Sequence, residues 1–233
     1  MAAAGSGERL GAGGPKAFVP LAGKPMIEWS IDAFRACDSV HSIVVAAPPG
    51  HVHDLAGHDL GVVSGGATRA RSVANAMEAV GTALVAIHDA ARPLLTPELV
   101  EALVASLDDS PEAAGVIAAT AVTDTIKEAG EGTRPALGTH AVPNAGLVVS
   151  RTVDRSRLWA AQTPQVFRTD ALREALGGSP EKLDEATDEA MMIEMAGGAV
   201  LIHSTGPENL KVTTPLDLRV AEMLLAERSA GPR

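Results

Sequence analysis

The chain has 233 residues, a length at which one hydrophobic core is still common. Hydrophobic residues make up 46% of it and aromatic residues 2%, which excludes general disorder and argues against an aromatic platform for single-stranded nucleic acid. The formal net charge of -10 disfavours general binding to nucleic acids or anionic membranes, but it leaves room for a local cationic pocket that binds a small phosphate.

The single cysteine, Cys37, cannot form a disulfide within the chain, which fits a reducing compartment. No apolar run approaches the roughly 20 residues that span a bilayer. The opening segment MAAAGSGERL has no apolar stretch of the kind found in signal peptides. We therefore expect a cytoplasmic protein with no membrane partner.

Short apolar runs alternate along the chain with segments of helical periodicity. Four runs rich in Val, Ile and Ala predict buried strands, at residues 42–47, 83–87, 115–119 and 199–202. Apolar spacing and N-cap residues followed by Pro predict helices at residues 25–34 and 71–80 and after Thr96 and Thr214. This alternation predicts an α/β fold with a doubly wound, mostly parallel sheet.

The segment from about 122 to 167 breaks this alternation within what we expect to be a single domain over residues 1–233. It has little helical periodicity and contains a turn-rich stretch at Gly130–Thr133. We interpret it as an extended arm of paired strands. Because exposed strand edges must be covered, the arm predicts pairing with a second copy of the chain as a homodimer.

A glycine-rich loop opens the chain. Gly5 and Gly7 allow the backbone to approach a phosphate closely, and Arg9 and Lys16 place positive charge beside it. The loop is neither a P-loop nor a full GxGxxG motif. It resembles the signature loop of nucleotidyltransferases that make nucleotide-diphospho sugars and alcohols. In those proteins the loop follows a buried strand, so we expect the first strand to be truncated here and the natural product to begin several residues upstream.

Two further segments are candidates for ligand binding. Asp89 and Arg92 follow a predicted strand, at the edge of the sheet where doubly wound folds bind ligands. Asp89 could hold a hydroxyl or a metal-bound water and Arg92 a phosphate, although a turn cap and a surface ion pair would explain them equally well. The turn at Gly65 and Gly66 precedes a predicted helix and could bind an anion, although a routine turn has the same pattern.

The complete set of motifs is more specific than any one of them. From residue 3 to about residue 218 the chain resembles the 2-C-methyl-D-erythritol 4-phosphate cytidylyltransferase family, on the motifs AAGSGERL, PK, GG-x-x-R-x-x-SV, HDAARP, DTIK, TVDR, QTPQ, TDEA and LKVT. The resemblance implies a nucleotide-diphospho-sugar transferase-like fold. It also implies cytidylyl transfer from CTP to methylerythritol phosphate, with release of pyrophosphate, in non-mevalonate isoprenoid biosynthesis. Ribitol 5-phosphate, or another sugar or alcohol phosphate, is the alternative acceptor.

The same resemblance implies roles for individual residues. It implies four catalytic cations that gather into one pocket: Arg9, Lys16, Arg155 and Lys211. It implies CTP binding by Ala4, Gly5, Gly7, Gly66, Ser72, Asp89 and Ala90. It implies acceptor binding by Asp89, Arg92, Thr125, Thr163 and Thr187, with Thr125 reaching the neighbouring subunit. Mg²⁺ is expected to be held mainly through the CTP phosphates, with no protein ligand cluster.

Two other classes of protein remain open from the sequence. His51, His53 and His58 lie close together and could bind zinc, although a solvated loop is the simpler interpretation. A catalytically inactive relative is also compatible with the short opening segment. Ala67 stands where many members of the family have a polar or acidic residue, close to the expected cytidine site.

Overall fold

The computed structural model describes residues 1–5, 10, 14–55, 59–131, 147–178, 183 and 185–230. The chain divides into two compact units, one formed by Met1–Ala119 with Ala161–Arg233 and the other by Thr120–Ala160. The predicted arm segment, 122–167, contains nearly all of the smaller unit. The last residues of the predicted arm segment, from 161 onward, belong to the larger unit.

The described residues form ten strands and six α-helices. The strands are β1 (Pro20–Leu21), β2 (Lys24–Pro25), β3 (Val44–Ala47), β4 (Gly61–Ser64), β5 (Leu84–Ile87), β6 (Gly115–Ala121), β7 (Lys127–Glu131), β8 (Leu147–Thr152), β9 (Trp159–Arg168) and β10 (Val200–Ser204). The helices are α1 (Met26–Arg35), α2 (Arg69–Met77), α3 (Pro97–Asp108), α4 (Thr169–Leu176), α5 (Glu189–Met195) and α6 (Pro215–Ala230). All four strands and all four helices predicted from the sequence are confirmed, with bounds that differ by a few residues.

The main sheet has four strands in the order β10-β6-β9-β5. The β10 strand runs parallel to β6, and β3 runs parallel to β4, as the apolar runs predict. The β9 strand runs antiparallel to β5, so the main sheet is mixed. The sequence analysis placed this strand in the arm, but residues from Gln162 to Phe167 are buried in the core of the larger unit.

Residues 1–3 lie between the carboxyl ends of β3 and β5. Ala2 forms isolated parallel bridges with Ala46 and with Asp89. The N–H of Ala2 donates to the His88 carbonyl at 2.8 Å, and the N–H of Ala3 donates to the Ala46 carbonyl at 3.0 Å. Residues 1–3 thus supply a short piece of backbone that connects β3 with the segment after β5. A natural start several residues upstream stays a prediction.

Toward the amino ends of the same two strands, the space between β3 and β5 is an apolar cavity of about 370 Å³, which we call the apolar slot. Its walls come from both strands and from helices α1, α2 and α3. The side chains that line it include Val44, Val85, Ala86, Met77, Val100 and Val104. Met1, whose amino group donates to the Val44 carbonyl at 2.6 Å, also lines this slot.

Helix α2 begins two residues earlier than predicted. The Thr68 hydroxyl accepts the N–H of Arg71 at 3.2 Å, which makes Thr68 the N-cap and brings Arg69 into the first turn. The buried face of the helix contains Val73 and Met77, as the spacing predicts. No described helix is both long and apolar enough to cross a bilayer.

The smaller unit contains the hairpin of β7 and β8, which are antiparallel. Paired strands were predicted here, and this part of the prediction is confirmed. The side chains of β8 are exposed along its whole length, including Leu147 at 58% and Val149 at 62%. The hairpin thus presents apolar side chains at its surface.

Candidate active site

A polar cavity of about 650 Å³ lies in the larger unit, at the carboxyl ends of β3 and β5. Strand ends, the opening residues and the turn before α2 meet here. Eight residues predicted to be functional line it together: Ala4, Gly5, Lys16, Gly66, Ser72, Asp89, Ala90 and Lys211. Two of the four predicted cations, Lys16 and Lys211, therefore share one cavity although they lie far apart in the sequence.

Alternating charges form a line that ends in this polar cavity. Lys211 Nζ lies 2.7 Å from Asp89 Oδ2, and Arg69 Nε donates to Asp89 Oδ1 at 2.9 Å. Arg69 Nη1 donates to both carboxylate oxygens of Glu189, each at 2.7 Å. The Glu189 side chain is completely buried, whereas that of Lys211 is 42% exposed. We call these residues the charged chain.

Asp89 is ionised and held by two cations. Burial alone would raise the pKa of its carboxyl group, but the charges and hydrogen bonds of Arg69 and Lys211 hold that pKa well below its usual range. Burial also raises the pKa of Glu189, and the Arg69 guanidinium offsets part of this effect. The cavity therefore contains a fixed, ionised carboxylate next to the half-exposed ammonium group of Lys211.

His88 supports the backbone of Asp89 from the interior. The ring is fully buried, its Nε2 lies 3.2 Å from the Arg92 carbonyl, and its Nδ1 lies 3.1 Å from the Thr163 hydroxyl. The same hydroxyl accepts the N–H of Asp89 at 3.0 Å. Because the Arg92 carbonyl only accepts, Nε2 carries the proton and Thr163 donates to Nδ1. Burial lowers the pKa of His88 to about 3, so the ring is neutral.

The glycine turn before α2 packs against the opening residues. A Cβ on Gly65 would lie 2.5 Å from the Ala4 Cβ, and a Cβ on Gly66 would lie 2.5 Å from the Arg71 Cβ. The Ser72 hydroxyl accepts the Gly66 N–H at 3.0 Å and donates to the Thr68 carbonyl at 2.9 Å. Glycine is therefore required by close approach, and Ser72 holds the turn that forms one wall of the cavity.

Three predicted acceptor-binding residues of the larger unit do not line the polar cavity. Arg92 is buried, and its Nη1 donates to the Asn209 carbonyl at 2.6 Å. Thr163 is buried in the contacts with His88 and Asp89 described above. Thr187 is exposed, and its hydroxyl lies 3.8 Å from the sulfur of Met191. Direct contact of these residues with the acceptor stays a prediction.

The other predicted residues lie elsewhere. Arg155 belongs to the smaller unit, where its guanidinium donates to the Thr123 carbonyl, and Thr125 is exposed in the same unit. Gly7 and Arg9 lie outside the described residues. The gathering of all four cations into one pocket therefore stays a prediction, with Lys16 and Lys211 as the two members seen in one cavity.

Sequence reasoning missed the roles of Arg69 and Glu189. Both occur in the quoted motifs, GG-x-x-R-x-x-SV and TDEA, but neither residue was given a role of its own there. They are 120 residues apart, and no local spacing connects them. A basic residue directly after the N-cap Thr68 and an acidic residue at the start of an apolar helix are the signals that could have singled them out.

Contacts with neighbouring residues account for the position of His51 in the histidine cluster. His51 Nδ1 lies 2.7 Å from Asp54 Oδ2, and its ring stacks on Phe18 with centroids 5.5 Å apart. Within the part of the chain that the structure describes, no three His, Cys, Asp or Glu side chains are grouped closely enough to hold a metal ion. His58 lies outside the described residues.

Comparison with known proteins gives a consistent result. The family model IspD, described as 2-C-methyl-D-erythritol 4-phosphate cytidylyltransferase, matches residues 1–227. A curated protein of that name from Symbiobacterium thermophilum is 41% identical over 97% of this chain and 92% of its own length. One from Parasynechococcus marenigrum is 39% identical over 98% of this chain and 97% of its own length.

Solved structures agree with these matches. The crystal structure of 2-C-methyl-D-erythritol 4-phosphate cytidylyltransferase from Thermus thermophilus matches with a TM-score of 0.75 and 32% identity, over 93% of this chain and 96% of the other. The enzyme of the same name from Francisella tularensis matches with a TM-score of 0.77 and 26% identity, over 95% of this chain and 96% of the other.

Proposed function

The chain belongs to the 2-C-methyl-D-erythritol 4-phosphate cytidylyltransferase family, and we propose that its polar cavity is where the family's reaction takes place. It is a nucleotidyltransferase that joins the cytidylyl group of CTP to 2-C-methyl-D-erythritol 4-phosphate, a step of isoprenoid precursor biosynthesis. The observation that supports this location is the meeting of Lys16, Lys211 and Asp89 with the glycine turn in one cavity.

The chemical problem is electrostatic. An oxygen of the acceptor phosphate attacks the α-phosphorus of CTP, a new P–O bond forms, and the bond to the bridging oxygen breaks as pyrophosphate leaves. The attacking group is already an anion, so no side chain has to remove a proton from it. Positive charge that is positioned in advance lowers the barrier, because both reactants and the transition state are anionic.

The two lysines of the polar cavity provide such charge. We assign Lys16 to the α-phosphate, where negative charge accumulates in the transition state, because it follows the glycine loop and lines the cavity. We assign Lys211 to the acceptor phosphate, where it orients the attacking oxygen. Asp89 keeps the Lys211 ammonium at the cavity through the 2.7 Å contact. Arg9 and Arg155 complete the set of cations in this proposal.

The nucleotide is held mainly by backbone groups. Ala4 and Gly5 line the cavity with little side-chain bulk, so their amides are accessible to phosphate oxygens. Gly66 and Ser72 form the opposite wall, which we assign to the cytosine. Ala67 also lines the cavity. Because its side chain has no polar group, only its backbone can form hydrogen bonds with the nucleotide.

Mg²⁺ fits this cavity as an ion that enters with the nucleotide. Asp89 is the one carboxylate among the described lining residues, and both of its oxygens already contact cations. A donor set of this kind leaves phosphate oxygens as the main ligands, which Mg²⁺ commonly uses in nucleotide sites. When bound, the ion neutralises the triphosphate and the leaving pyrophosphate.

We propose a homodimer in which the β7–β8 hairpin meets a second copy. Exposed Leu147, Val148 and Val149 on β8 support this, because side chains of this kind are costly to leave in water. Thr125, in the same unit, would then contact the neighbouring subunit's site. Sedimentation velocity tests the proposal: the native chain should sediment as a dimer, and Val149→Asp should shift it toward the monomer.

A cytoplasmic location is part of the proposal. The single cysteine, Cys37, is a buried free thiol, and burial raises its pKa to about 11. A thiol of this kind is compatible with a reducing compartment. Fractionation of the native cells tests this assignment. Recovery of the chain outside the cytoplasmic fraction would overturn it.

Product analysis tests the function. The chain is incubated with CTP, MgCl₂ and one acceptor at a time, and pyrophosphate release is followed together with mass spectrometry of the product. We expect 4-diphosphocytidyl-2-C-methyl-D-erythritol from methylerythritol phosphate and far less product from ribitol 5-phosphate. Preferred use of ribitol 5-phosphate, or nucleotide binding without turnover, would contradict the proposal.

A further inference from the structure

The charged chain reaches from the polar cavity to Glu189, which is buried and does not line that cavity. Glu189 is fully buried, yet both of its oxygens accept from one guanidinium nitrogen at 2.7 Å. A buried carboxylate with no partner would be strongly destabilising, so Glu189 and Arg69 depend on each other. The pair is thus fixed in position by the fold, independently of any ligand.

Arg69 has a second contact that makes this pair relevant to the reaction. While Nη1 is occupied by Glu189, Nε donates to Asp89 Oδ1 at 2.9 Å. The guanidinium is planar, so fixing one of its nitrogens also fixes the direction of the others. Asp89 is consequently held in one orientation, with Oδ2 left to face Lys211 at 2.7 Å.

We propose that Arg69 and Glu189 are positioning residues for the acceptor phosphate, which act through Asp89 on Lys211. This role rests on the proposed function of the cavity. Arg69 lines the polar cavity, and Glu189 neutralises its guanidinium and holds Nη1 in place there. Without that carboxylate, Arg69 would be drawn fully to Asp89 or to an incoming phosphate. Lys211 would then lose the contact that places its ammonium in the cavity.

The role predicts a specific kinetic signature. Neither residue contacts the reacting phosphorus in this scheme, so the ground-state position of the acceptor should suffer more than the chemical step. For Glu189→Gln, which keeps the shape and removes the charge, we expect the KM for methylerythritol phosphate to rise about tenfold and kcat to change less than about threefold. Arg69→Lys should behave in the same way, because a single ammonium cannot replace the guanidinium fork.

A double-mutant cycle separates this role from a general loss of structure. If Glu189 acts through Asp89, then Glu189→Gln should raise the KM less than about twofold when it is added to Asp89→Asn. A purely structural defect would multiply with the Asp89 defect. The matched controls are Glu101→Gln, whose carboxylate accepts the Ser39 N–H, and Arg168→Lys, whose guanidinium donates to the Ala113 carbonyl.

The outcomes are distinct. Steady-state kinetics are measured well below the unfolding temperature of each variant, with Arg69→Lys as the second variant in case Glu189→Gln does not fold. Wild-type turnover with an unchanged KM in the foldable variant, or effects that multiply in the cycle, overturns the positioning role alone. Absence of turnover in the wild-type chain overturns the function of the cavity and the role with it.

Discussion

The same two strands, β3 and β5, border two very different spaces. At their carboxyl ends lies the polar cavity, with Lys16, Asp89 and Lys211 on its walls, and toward their amino ends lies the apolar slot. The polar cavity brings charged side chains together, whereas the slot is lined mainly by aliphatic side chains. One pair of strands from two sheets thus separates chemistry from stability along its length, so substitutions at the two ends should affect different measurements.

The largest expected effect is at the polar end. Lys16→Ala should reduce kcat about a hundredfold, or roughly 3 kcal/mol in barrier height, because it removes charge that acts mainly in the transition state. Its urea midpoint should stay close to that of the wild type. Lys24→Ala is the matched control, since this lysine pairs with Asp32 and stacks on Trp29. A near-normal kcat for Lys16→Ala would contradict the assignment.

The second prediction concerns the apolar end. Val100 is completely buried and lines the slot. Val100→Ala should lower the free energy of unfolding by about 2 kcal/mol, because it removes buried methyl groups and enlarges a space that is already present. Urea denaturation measures this change, and kcat should remain at the wild-type value. A large loss of kcat without a loss of stability would show that the two ends are not separate.

The third prediction concerns His88, which is part of the core and also supports the cavity. The folded-state pKa is lowered from 6.5 to about 3, so stability is fully present above pH 6.5 and is lost as the pH falls toward 3. The loss should approach about 1.4 kcal/mol per pH unit, because only the unfolded state takes up the proton.

Urea denaturation between pH 6.5 and pH 4.5 tests the role of His88. His88→Asn should be less stable than the wild type at pH 8 but should show a shallower loss on acidification. The exposed His41 provides the control variant, His41→Asn, which should follow the wild-type profile. An unchanged slope in His88→Asn would mean that another group carries the pH dependence.

The smallest expected effect comes from a substitution that fills part of the apolar slot. Ala86 lies on β5 and lines this space, so Ala86→Val adds methyl groups to it with a residue suited to a strand. We expect the free energy of unfolding to rise by about 0.5 kcal/mol without a change in kcat. A clear loss of stability would indicate that the space does not accept even a small side chain.

Much of the scaffold could be predicted from local patterns. Continuous aliphatic runs predict β3, β5, β6 and β10, because strands covered on both faces need apolar residues at every position. Thr96 predicts the start of α3, and its hydroxyl accepts the Leu99 N–H at 3.4 Å. Local rules work at these places because the determining contacts lie within a few residues.

The parts that could not be predicted depend on distant contacts. The β9 strand has no simple apolar run, since Gln162, Thr163 and Gln165 are polar, and tertiary hydrogen bonds allow them to be buried. The Arg69–Glu189 pair joins residues 120 positions apart. By contrast, Asp89 could be predicted, because a polar residue at the end of a buried strand is placed at the ligand-binding edge by the topology itself.

The contact between positions 4 and 65 also limits how this site can evolve. Since a Cβ on Gly65 would lie 2.5 Å from the Cβ of Ala4, the two positions cannot both carry a side chain without moving the backbone that forms the cavity wall. Even with glycine at position 4, a Cβ at position 65 would lie 3.1 Å from the Ala47 carbonyl oxygen. Homologous sequences should therefore keep glycine at position 65 and small residues at position 4.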